Sequence, residues 1–139
     1  MLNKKLIVCG IVLIAFDICL YGLFHDISEL ALFALFDKEL LIYFKTVHLK
    51  FMSLFSGTLI FQIIRNYFID FLWFLSFQLL CLGYFSKTLS LFIVLFGGIL
   101  TEVFQLLKPC LGTFDFVDLI IYISITLVLF AFVKSKDRN

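Results

Sequence analysis

The stretch TLSLFIVLFGGILTEVFQLL, residues 88–107, and its successor FDFVDLIIYISITLVLFAFV, residues 114–133, decide the fold class. Each is 20 residues long, about the length a helix needs to cross the hydrocarbon core of a bilayer. Neither shows the sustained apolar/polar alternation of a membrane strand, so both predict spanning helices. Working outward, Leu6 to Phe24 and Tyr67 to Phe85 have the same character. Two further stretches are ambiguous. Ile27 to Phe44 is interrupted by Asp37-Lys38-Glu39, and Leu49 to Ile64 is only 16 residues long between Lys50 and Arg65.

The whole composition agrees with lipid as the solvent. Of 139 residues 63% are hydrophobic, with twenty Phe and one Pro, and the mean hydropathy is +1.15. That is more apolar surface than a soluble core of this size could bury. The expectation is a single all-α membrane domain over residues 1–139, a polytopic transmembrane helix bundle. A net charge of +1 without a dense Lys/Arg block excludes a nucleic-acid partner. Cys9, Cys19 and Cys81 lie in apolar runs and read as small buried hydrophobes, while Cys110 falls in a loop; no CxxC spacing occurs. Lys4 and Lys5 before Leu6 to Phe24 resemble a secretory leader, but the apolar run is long for one and contains Asp17, so it reads as an uncleaved first span.

Charge sets the expected topology. Lys4 and Lys5 at one end and Lys134, Lys136 and Arg138 at the other place both termini in the cytoplasm. The number of crossings is then even, four to six. The distribution of Lys and Arg favours six, whereas the Asp-Lys-Glu interruption and the short segment favour four plus an interfacial or re-entrant hairpin; four is the preferred reading. Either count puts Lys87 inside, and the Lys108 to Thr113 loop and the start of the helix bearing Asp70 outside.

Several polar residues share that outer level. Glu102 and Gln105 lie one turn apart, with Gly98 one turn before, where a small residue admits a neighbouring backbone. Asp115, Asp118, Tyr122 and Thr126 follow at i, i+3, i+7 and i+11, a polar stripe on an apolar cylinder. Asp70 adds a third helix with a carboxylate. A charge at the centre of a membrane helix costs roughly 2.5–3.5 kcal/mol, so partners are required. Arg65, Lys108 and the Gln105 amide are candidates, as is a bound cation. Alternatively, crowded carboxylates hold one acid protonated, as a general acid or proton carrier needs. Asp115 at a helix start could equally be a cap, with Thr113 the other candidate. Glu102 and Asp118 could be interhelical hydrogen-bonding groups. Asp17, in mid-span, could pair with another helix or mark a pathway. Tyr67 and Trp73 read as interfacial anchors. His25 and His48 lack a ligand pattern, so neither a metal nor a cofactor is expected.

Glu102-Val103-Phe104-Gln105, Gly112-Thr113-Phe114-Asp115-Phe116-Val117-Asp118 and Tyr122, together with Asp70-Phe71-Leu72-Trp73, resemble the C-terminal signature of VanZ-like membrane proteins, in particular small members with a Gly-Thr-Phe-Asp loop. The resemblance covers about residues 70–125. The loop here has Lys108 where such proteins usually carry Arg, and Tyr122 stands in place of an Asn. The resemblance implies a multi-pass protein of the bacterial cell membrane. On this reading Asp70, Glu102, Gln105, Asp115, Asp118 and Tyr122 form an extracytoplasmic acidic pocket for a lipid head group or cation. An intramembrane enzyme on a lipid-linked substrate is the first alternative, without a recognisable catalytic motif. A small transporter, or a subunit beside a partner membrane protein, is the second.

Overall fold

The computed structural model describes residues 3–25, 37–107 and 114–136, and these are all-helical, without a strand. Five helices make up the described residues: α1 (Lys4–Phe24), α2 (Lys38–Phe55), α3 (Leu59–Tyr84), α4 (Lys87–Leu107) and α5 (Phe116–Lys136). By length and composition α1, α3 and α4 can each cross a membrane, and α5 carries a shorter apolar run, Phe116–Phe132. The chain is therefore a helical membrane protein.

Neither ambiguous stretch forms one continuous described helix. A helix begins at Asp37-Lys38-Glu39, where the apolar run is interrupted. Asp37 is extended at the N-cap position of α2, and Glu39 lies in the first turn, where a carboxylate meets the positive end of the helix dipole. Residues 27–36 lie outside the described residues. The other stretch, Leu49 to Ile64, is divided by a turn at Ser56-Gly57-Thr58. Thr58 then caps α3 by accepting the Phe61 N–H at 3.2 Å. As a result α3 starts at Leu59, eight residues before the expected Tyr67.

α3 contains one wide turn, a π-helical segment at Ile64–Phe68. Such a turn holds an extra residue and rotates the following face of the helix. His25 Nε2–H donates to the Arg65 carbonyl in it at 3.1 Å, a bond that fixes the tautomer because a carbonyl can only accept.

The chain divides into two compact units, Met1–Ile14 with Asp70–Asn139, and Ala15–Ile69. The second is organised around rings. Phe24 and Phe61 are buried with Ile69; Phe24 meets Phe61 at 5.0 Å and Phe51 edge-on at 5.1 Å. Its histidines serve the backbone: His48 Nδ1–H donates to the Leu23 carbonyl at 2.9 Å, near the end of α1, where helix carbonyls have no partner of their own.

In the first unit, the start of α1 packs antiparallel on the end of α3. The Asn3 N–H donates to the Gly83 carbonyl at 3.0 Å, Gly83 faces Ile7, and Gly10 faces Leu80 and the Ser76 carbonyl. Ser90, fully buried, ties α4 to α3 by donating to the Cys81 carbonyl at 2.8 Å. Cys9 and Cys19 are exposed rather than buried, and Cys81 is half-buried. In lipid an outward helix face is apolar too, so an apolar run does not separate core from surface. Cys110 lies outside the described residues.

Candidate functional site

The site is built from three layers at constant register. Along α3, Asp70, Phe74 and Gln78 stand at i, i+4 and i+8; along α5, Asp118, Tyr122 and Thr126 do the same. Side chains four apart lie on one helix face. Each α3 residue has its α5 counterpart 48 positions later, as Gln78 and Thr126 illustrate, so the two helices run parallel through all three layers.

The middle layer is aromatic. Phe74 and Tyr122 stack with centroids 4.3 Å apart and planes 13° from parallel. Gly98 of α4 closes this layer: a Cβ there would stand 2.9 Å from Phe74 Cε2 and from Tyr122 Cδ2. The sequence expectation that Gly98 admits another backbone is thus corrected, since it admits two rings. The amide layer lies below. Gln78 Nε2–H donates to Thr126 Oγ1 at 3.1 Å, and Thr126 Oγ1–H donates to the Tyr122 carbonyl at 2.8 Å. Gln78 is 0% exposed and its Oε1 has no hydrogen-bond partner.

The acidic layer lies above. Glu102, 2% exposed, comes from α4 one turn beyond Gly98. Its Oε2 accepts the Asp115 N–H at 3.2 Å and its Oε1 accepts the Tyr122 hydroxyl at 3.4 Å. Asp115 is the cap of α5, with Oδ1 accepting the Val117 N–H at 2.8 Å, which bears out the capping role. Asp118 is 92% buried, at 8% exposure. Its Oδ1 has no hydrogen-bond partner, and Asp70, Glu102 and Asp115 all act on it electrostatically.

The structure therefore brings Asp70, Glu102, Asp115, Asp118 and Tyr122 together, with Gln105 half-buried one turn beyond Glu102. Lys108 lies outside the described residues. Arg65 and the buried Asp17 belong to the other unit. Phe74 and Gln78 were not among the residues singled out from the sequence. Their signal was present in the four-residue spacing from Asp70, which becomes visible only beside the matching spacing on α5.

Three carboxylates, Asp70, Glu102 and Asp115, around the buried, unfilled Asp118 acceptor make an environment that favours a donor carrying positive charge. Among the described residues no group of three or more His, Cys, Asp or Glu side chains is placed to hold a metal ion. No protein-family model, curated protein or solved structure matches the chain.

Proposed function

We propose that this is a multi-pass protein of a bacterial cell membrane whose acidic layer binds an ammonium group, presented by a lipid head group or by a free amine. The observation that carries the reading is Asp118 Oδ1, buried and without a partner beside three further carboxylates. An ammonium donates three hydrogen bonds and offsets the charge that makes acids costly in a membrane helix. Glu102 positions the site by holding the start of α5 and the Tyr122 hydroxyl. The resemblance of residues 70–125 to VanZ-like proteins supports the bacterial envelope. Charge at the termini supports an even number of crossings with both ends cytoplasmic, and either four or six would open the layer to the extracytoplasmic side.

The test uses full-length protein reconstituted with phosphatidylethanolamine or phosphatidylcholine, followed by native mass spectrometry of retained lipid, and soluble ethanolamine titrated in a parallel arm. Retention of phosphatidylethanolamine over phosphatidylcholine, lost in Asp118→Asn with the helical signal intact, is the expected result. Binding of ethanolamine alone assigns the site to free amines. Retention unchanged by Asp118→Asn, or equal collapse of Asp118→Asn and Glu102→Gln, overturns the proposal. Binding weakens as pH falls, because protonated carboxylates lose the charge that attracts the ligand.

A further inference from the structure

α2 differs from every other long helix among the described residues: none of its 18 residues is buried. Lys38, Glu39, Lys45 and Lys50 keep it outside the set apolar enough to cross a membrane. Its contacts also put it at a membrane boundary. His48 and Phe51, in the middle and C-terminal half of α2, touch Leu23 and Phe24, the last two residues of the 21-residue span α1. A helix crossing beside α1 would set its middle against the middle of α1. Here the middle of α2 sits at the level where a span ends.

One exposed edge of α2 is apolar. Leu40, Tyr43 and Leu54 fall on one strip at helical spacing, with Tyr43 65% and Leu54 73% exposed. Lys50 borders this strip, while Lys38 and Lys45 lie on the far side of the helix from it, beside the exposed Leu49 and Ile42. A helix with three lysines, one acid and an exposed apolar edge has the character of an interfacial helix on anionic lipid. We infer that α2 lies along the bilayer surface, with Leu40, Tyr43 and Leu54 in the acyl boundary and Lys38, Lys45 and Lys50 among anionic head groups.

The experiment places a single Trp at Tyr43 or Leu54 in full-length Trp73→Phe protein, reconstituted in phosphatidylcholine with phosphatidylglycerol. Quenching by lipids brominated at different acyl depths reports how deep each Trp lies, and circular dichroism checks that the helices persist. The two positions are 11 residues apart, about 16 Å along a helix axis. A surface helix places both at the same shallow depth. Depths differing by about 16 Å would show a crossing helix, and no quenching of either Trp would show that the strip does not meet acyl chains; both overturn the inference. Brominated phosphatidylglycerol quenches the Leu54→Trp protein more than brominated phosphatidylcholine at equal fraction, and a Lys38→Gln, Lys45→Gln, Lys50→Gln variant loses that preference. Equal quenching by the two lipids in the protein with its lysines overturns the head-group assignment.

Discussion

The two compact units solve the same problem with opposite materials. Residues 15–69 bury rings and spend their two histidines on backbone, as His48 does at Leu23 and His25 at Arg65. The unit containing residues 70–139 buries side-chain polar groups against one another, layer upon layer. In lipid, helices gain nothing from hiding apolar surface from water, so shape and hydrogen bonding choose the partner. A ring cluster is compatible with several rotations of its helices. The carboxylate, aromatic and amide layers face their counterparts in one register only.

The sharpest way to break the contrast is at Gly98. Gly98→Leu drives a side chain into Phe74 and Tyr122 and is expected to cost about 3 kcal/mol, the upper part of the overpacking range, read as loss of thermal stability in detergent. Gly97→Leu, one residue away where a Cβ meets nothing, is the control and leaves the transition in place. Next comes the ring cluster. Phe61→Ala removes contacts with Phe24 and Phe51; with lipid in place of water only packing is lost, so the cost is about 2 kcal/mol rather than the roughly 3–5 of a soluble core.

Those two predictions also show what could be read beforehand. The helical class and the stripe Asp115, Asp118, Tyr122 and Thr126 were legible because polar residues stand out in an apolar cylinder. The opposing stripe on α3 was not, since Phe74 in its centre looks like any other lipid-facing residue and Gln78 stands alone. Asp37-Lys38-Glu39 was legible as a break in the apolar run, and α2 begins there, but three charged residues mark a broken span and a helix start equally well. The exposed Cys9 and Cys19 share that ambiguity, because inner and outer faces of a membrane helix are both apolar.

Smaller effects refine the comparison. His48→Ala leaves the Leu23 carbonyl at the end of α1 without its donor and is expected to cost about 1 kcal/mol, seen as faster amide exchange in the last turn of α1. In the layered unit, Thr126→Val strands the Gln78 amide N–H as well as its unpartnered oxygen, costing about 1 kcal/mol. Gln78→Leu removes both polar atoms at once and changes stability by less than about 0.5 kcal/mol. Combined, the two substitutions cost no more than Gln78→Leu alone in a double-mutant cycle; additive losses would show that the amide layer does not act as a pair.

The 48-residue separation between facing layers also has a meaning in time. At a synthesis rate of about 5–20 residues per second, Asp70 and Gln78 emerge roughly 2–10 s before the residues that will face them. During that interval α3 holds a carboxylate and an amide with no partner from α5. Its early life in the membrane is that of an incomplete helix, finished only when the last span arrives.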